Sequence, residues 1–242
     1  MDLGPIKQRL HAILANATDA TDATDATGAN GALPLDVCCL LICQLAGREI
    51  DVDVELRALD LIAETLDASS FDGIIAGLFS GPQPLRGNTE AYYQVTNSML
   101  SDVRRTGLGI PITLSVLAIE IARRKGVPLV GIGMPGHFLV GDGAAPDRYA
   151  DPFNGVRVFG RDGARELFQR YSGGAAAWDD AYLQVTSNVD ILFRIVNNIR
   201  VACSRSFVER RNLPWVLELL SWFPQGPAFD RAAAARTVAA FN

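Results

Sequence analysis

Apolar residues recur with a helical period over most of the chain, interrupted by a stretch of different period after Gly126. Ile6, Leu10, Ile13 and Leu14 fall on one side of a short helix over residues 2–16. LPLDVCCLLICQLAG predicts a buried helix stopped by Gly47, with Asp36 placed to cap its start. In DVDVELRALDLIAETL the apolar positions Val54, Leu56, Leu59, Leu61, Ile62 and Leu66 keep the same period. SSFDGIIAGLFS is a further short helix, broken by the prolines and glycines of GPQPLRGN. TEAYYQVTNSMLSDVRRTG then predicts a helix or a helix and turn. Residues 34–106 thus read as a helical subdomain without a strand.

The central helix is predicted over 110–125. Pro111 suits its first turn, where an amide hydrogen has no partner to lose. Ile110, Leu114, Leu117, Ala118, Ile121 and Ala122 give it an apolar stripe. Arg123, Arg124 and Lys125 complement the dipole at its end, and Gly126 stops it. Beyond Gly126, VPLVGIGM, HFLVG and RYADPF read as three strands, with Pro135-Gly136 as a turn between the first two. If GDGAAPD closes a hairpin between Val140 and Arg148, His137 pairs with Asp151 and Leu139 with Tyr149 on one face. Residues directly opposite are ~5 Å apart at Cβ, close enough for an imidazole–carboxylate contact. Pro152 predicts that the strand ends or bulges beside Asp151.

The last third returns to the helical period. SNVDILFRIVNNIRVACSRSFVER, LPWVLELLSWF and FDRAAAARTVAAF predict three helices, with turns at Arg211-Asn212 and at PQGP. Near the other end, NATDATDATDATGANGA has no apolar side to bury and reads as a linker or long loop. The expected organisation is four parts: 1–33, 34–106, 107–172 and 173–242.

Composition narrows the function classes. The 242 residues are 49% hydrophobic and 20% charged, enough for a sizeable core. A net charge of −5 argues against nucleic acid as a partner. No apolar run is long enough for a membrane span, and MDLGPIKQRLHAIL lacks the pattern of a secretion signal. A cytoplasmic protein is therefore expected. Cys38, Cys39, Cys43 and Cys203 lack the spacing of a disulfide framework or a zinc site, and predict buried thiols. With only His11 and His137 in the chain, no metal and no cofactor are expected.

GNTEAYYQVTNSML, RRTGLGIPITLSVLAIEIARRKGVPLVGIGMPGHFLV and YADPFNG together resemble the bacterial SirB-type proteins, which join a transglutaminase-like core to tetratricopeptide-like helices. The resemblance covers about residues 35–225. It implies an α+β fold: a papain-like core of one helix on a small antiparallel sheet, with helical N-terminal and tetratricopeptide-like C-terminal parts. In active members of the wider superfamily, a cysteine at the helix start attacks an acyl group while a histidine and an aspartate complete the triad. His137 and Asp151 match the last two. The cysteine would fall near Pro111, where none stands. The leading expectation is a non-catalytic module that binds a peptide or a partner protein. The alternative is a hydrolase or acyltransferase in which Thr113 or Ser115 replaces the thiol, with His137 as base and Asp151 orienting it. A threonine inside a helix, however, is expected to bond the carbonyl one turn back.

Overall fold

The computed structural model of the chain describes residues 3–19, 33–155 and 157–223. The predicted third tail helix, FDRAAAARTVAAF, and most of the Ala-Thr-Asp tract lie outside the described residues.

Nine α-helices and six short strands are described: α1 (Gly4–Asp19), α2 (Leu35–Leu45), α3 (Val52–Thr65), α4 (Phe71–Ser80), β1 (Arg86–Gly87), α5 (Leu100–Thr106), β2 (Leu108–Gly109), α6 (Pro111–Arg124), β3 (Leu129–Ile132), β4 (Leu139–Asp142), β5 (Tyr149–Ala150), β6 (Val158–Phe159), α7 (Arg161–Ser172), α8 (Asn188–Arg205) and α9 (Leu213–Ser221). Strands β3 to β6 form one antiparallel sheet in chain order, and β1 pairs with β2 in parallel.

Local chemistry explains the helix starts. The Asp51 carboxylate accepts from the Asp53 and Val54 amides at 2.8 and 3.0 Å, and Ser70 Oγ accepts from Gly73 N at 3.2 Å. Pro111 opens α6 as expected. That helix is more deeply set than a single stripe allows: every residue from Pro111 to Ala122 is buried. Helices α2, α3, α4 and α5 pack against it, and β3 and β4 cover it from below. One apolar core runs from Leu10 on α1 to Phe223 beyond α9.

The sheet separates this core from a smaller one. Val140 and Ala150 face the α6 side, while Ile132, Leu139 and Tyr149 face Ala164, Leu167 and Phe168 of α7. This is the alternation a pleated strand imposes. The periodicity assigns no element to residues 156–172, yet β6 and α7 stand there and complete the α7 face.

Four expectations are corrected. Asp36 is not the cap of α2: Pro34 holds that position, and the carboxylate turns to Arg123 and Arg124 on α6. The segment 34–106 does contain a strand, because Arg86–Gly87 aligns with Leu108–Gly109. The first tail helix stops at Arg205, and Ser206, Phe207 and Val208 turn away from it. The hairpin register is the fourth: Val140 pairs with Ala150 and Gly141 with Tyr149, two residues later than the symmetric closure. Asp142 is the reason. Its amide donates to Arg148 O at 2.9 Å and extends β4, its carboxylate accepts from Ala144 N at 2.9 Å, and Asp147 turns the chain at φ +58°. A shift of two keeps every side chain on its face, whereas a shift of one reverses them all.

Candidate functional site

His137 lies just before β4, in the turn that follows β3. Its amide donates to Met134 O at 3.1 Å, and the same carbonyl accepts from Arg194 Nη2 of α8 at 3.0 Å. Gly133 makes that approach possible, since a Cβ there would lie 2.0 Å from Arg194 Nη1. Thr186 adds a second tie, its Oγ1 accepting from Gly133 N at 2.8 Å. The turn carrying His137 is thus held from α8 and from the residues that lead into it.

Asp151 follows β5 and closes a tight DPFN turn. Its Oδ1 accepts from the Phe153 and Asn154 amides at 3.0 and 3.3 Å, and Oδ2 accepts from Asn154 Nδ2 at 2.7 Å. His137 Nε2 stands 2.9 Å from the same Oδ2. Burial pushes the Asp151 carboxyl up, yet the His137 ring, the Asn154 amide and the Phe153 N–H outweigh it and hold the group below its ordinary value.

The pair is covered. His137 and Asp151 are 5% and 4% exposed. Tyr171 of α7 stacks on the imidazole with ring centres 4.3 Å apart, and its hydroxyl accepts from Asn154 Nδ2 at 2.6 Å. Phe153 meets the other side edge-on at 6.3 Å, and Tyr92 in turn meets Phe153 at 5.7 Å. Sequence reasoning brought His137 and Asp151 together and left Tyr171 out. The spacing of Ala164, Leu167, Phe168 and Tyr171 is helical, and was the signal that could have placed it.

Thr113 and Ser115 sit in the first turns of α6, both buried. Ser115 Oγ donates to Pro111 O at 2.8 Å, the back-bond of a helical hydroxyl. Thr113 does not follow the same expectation: its Oγ1 has no hydrogen-bond partner, neither a helix carbonyl nor His137. None of the four cysteines stands on α6; all are free and buried. Burial pushes the Cys38 thiol up to about 12 and Cys203 to about 11, the wrong direction for a nucleophilic thiolate.

A model of the transglutaminase-like superfamily matches residues 45–197, well over half of the chain. The chain belongs to the transglutaminase-like superfamily. The match takes in α6, the four-stranded sheet, both members of the His137–Asp151 pair and the first half of α8. Among curated proteins, a UPF0162 protein of Xylella fastidiosa is 42% identical over 120 residues, which is 47% of this chain and 42% of that one. A UPF0162 protein of Pseudomonas aeruginosa is 37% identical over 141 residues, 58% of this chain and 52% of that one. Human F-box only protein 21 is 33% identical over 85 residues, 35% of this chain and 13% of that protein. The chain spans about half the length of the UPF0162 relatives it matches. No solved structure matches it. Among the described residues, no helix is long and apolar enough to cross a membrane, and no group of three or more His, Cys, Asp or Glu side chains could hold a metal ion.

Gly87 tests how firmly the turn that carries Asp151 is built into the fold. A Cβ on Gly87 would lie 2.5 Å from the Phe153 ring and 2.6 Å from its carbonyl oxygen. Gly87→Ala is expected to displace Phe153 and the Asp151 turn together, at about 1–3 kcal/mol of stability. Urea denaturation measures the loss, and an unchanged midpoint would show that the turn moves freely.

Proposed function

We propose that this is a SirB-type member of the superfamily in which the triad no longer works: a non-catalytic module that binds a peptide or a partner protein. The observation that carries the reading is the closure of the pair. His137 and Asp151 lie beneath Tyr171 and Phe153, and Asp151 accepts from Phe153 N, Asn154 N and Asn154 Nδ2 within its own turn. A general base must reach the proton it removes, and a triad needs a nucleophile at the helix start. Position 111 is Pro in this chain, with no cysteine on the helix it opens. In this reading the pair persists as a clasp between the sheet and α7. Helices α8 and α9, joined through a 3-10 turn over Glu209–Asn212, stand as the tetratricopeptide-like part.

The unpartnered Thr113 hydroxyl keeps one second reading in play, a hydrolase or acyltransferase using Thr113 with His137 and Asp151. Ser115 is a weaker choice, its proton being engaged with Pro111 O.

Thr113→Val separates the two. It replaces a buried, unsatisfied hydroxyl by a methyl of nearly the same size, so a purely structural threonine gives unchanged or raised stability, by up to about 1 kcal/mol. The thermal midpoint and the turnover of p-nitrophenyl esters and glutamine-donor amides are measured for wild type, Thr113→Val and His137→Ala. Turnover at the level of buffer alone in all three supports the module. Wild-type turnover lost in both variants overturns it in favour of the hydroxyl enzyme.

A further inference from the structure

Phe207 is 88% exposed, the most open of the large apolar side chains described. It stands where the chain leaves α8 at Arg205 and before the 3-10 turn over Glu209–Asn212. A lone exposed phenylalanine means little, but this one has organised neighbours. The Arg205 guanidinium lies 3.9 Å from the centre of the Tyr93 ring, and Tyr93 meets Tyr92 edge-on at 5.1 Å. Both tyrosines are partly open to solvent. Tyr92 continues to Phe153 and so to His137. An aromatic line thus runs from the covered His–Asp pair out to the end of α8.

Charge on that end is opposite to charge on the whole. Between 205 and 211 stand Arg205, Arg210 and Arg211 against one acid, Glu209, in a chain of net charge −5. Glu209 accepts from Asn212 Nδ2 at 2.7 Å, which partly satisfies it within the turn. Arg210 N donates to Ser206 O at 3.1 Å, so Phe207 lies inside a single turn closed by the basic pair.

We propose that Tyr92, Tyr93, Arg205, Phe207, Arg210 and Arg211 form the docking surface for an acidic peptide segment of a partner protein, one carrying an aromatic or aliphatic anchor between its carboxylates. The proposal rests on the reading of the chain as a binding module and names the partner chemistry that the module takes. Aromatic and arginine side chains are the types that dominate binding energy at protein interfaces, and carboxylates are the natural partners of guanidinium groups. A nucleic acid fits less well: the basic turn is short, and the negative charge of the remaining surface repels a long polyanion.

The test uses the full chain. Random twelve-residue peptides on phage are selected on wild type and counter-selected on Phe207→Ser/Arg210→Glu/Arg211→Glu, whose three positions are exposed and whose thermal midpoint is checked against wild type. The expected result is enrichment of peptides with several Asp or Glu around an apolar anchor. A synthetic copy should bind wild type and lose about tenfold in affinity for Phe207→Ser alone, as for an anchor residue. Its binding should also weaken about tenfold between 50 and 300 mM NaCl, as charge screening requires. A pool without acidic enrichment, a pool retained by the triple variant, or tighter binding of a twelve-nucleotide single strand would each overturn the proposal. So would a dimer in sedimentation that Phe207→Ser dissolves, which would make a second copy the occupant. Turnover that depends on Thr113 and His137 would sink the non-catalytic reading and leave this peptide result standing. Failed peptide binding with no turnover would sink only the docking surface.

Discussion

Arg124→Ala is expected to lower stability by about 3 kcal/mol, at the lower end of what breaking a buried ion pair costs. Arg124 ends α6 and ties it to two other helices. Its Nη2 meets Asp36 Oδ2 of α2 at 2.7 Å, its Nε meets Asp60 Oδ1 of α3 at 2.7 Å, and its Nη1 meets Glu120 Oε2 at 3.1 Å. Asp36 and Glu120 are buried; Asp60 is half in solvent and loses little. Without Arg124 the two buried acids keep only Arg123, whose side chain is largely exposed. A removed partner leaves an uncompensated charge, which costs more than the pair was worth.

The same substitution has a signed pH dependence. Burial and then the nearby Asp36 push the Glu120 carboxyl up, with Arg123 and Arg124 pulling it back. An acid raised in the folded state holds its proton there to higher pH than in the unfolded chain, so stability falls as pH climbs from about 4.3 through the folded value. Removing Arg124 raises Glu120 further. The deficit of Arg124→Ala is therefore expected to be larger at pH 7 than at pH 5, measured by urea denaturation at both. Replacing all three by neutral groups, Asp36→Asn with Glu120→Gln and Arg124→Met, should recover much of the loss. An Arg124→Ala midpoint within error of wild type would show that the network holds nothing together.

These ion pairs also mark where sequence reading stops. Helical period alone located α2, α3, α4, α6 and α9, because each buries apolar positions at regular spacing. The role of Asp36 was out of reach, since a residue near a helix start reads as a cap unless its distant partner is known, and Arg123 and Arg124 are 87 and 88 positions away. The basic end of α6 was legible as a dipole complement but not as the counter-charge of a buried pair. Helix α7 was missed for a different reason. RDGARELFQRYS is mostly polar, burying Ala164, Leu167, Phe168 and Ser172 and little else. Its loss removed Tyr171, and with it the ring that stacks on the His137 imidazole. The hairpin shows a third case. His137 and Asp151 were placed together through a register two residues out, and the placement survived because period-two alternation forgives an even shift.

Asp151 makes the second large prediction. Asp151→Ala removes the acceptor of Phe153 N, Asn154 N and Asn154 Nδ2 and the 2.9 Å contact with His137 Nε2 in one step. The donors are part-buried and water can reach Asn154, so losing their shared acceptor is expected to cost about 1–3 kcal/mol. Asp151→Asn keeps an oxygen for the two backbone donors but replaces the accepting Oδ2, which faces Asn154 Nδ2 and His137 Nε2, by an amide nitrogen, so it gives up the charge and one acceptor and should cost less than Asp151→Ala. The acid limb separates charge from shape. The folded Asp151 carboxyl lies below its ordinary value. Its contribution is therefore complete above the unfolded value of about 3.9 and is lost as pH falls below it through the folded value. Wild type should lose stability on going from pH 5 to pH 2.5, and Asp151→Asn should lose less over the same interval. Asp36, also held low, keeps the variant's limb from being flat. Parallel acid limbs in the two proteins would mean that the Asp151 charge does no structural work, and the clasp reading of the His137–Asp151 pair would fall with it.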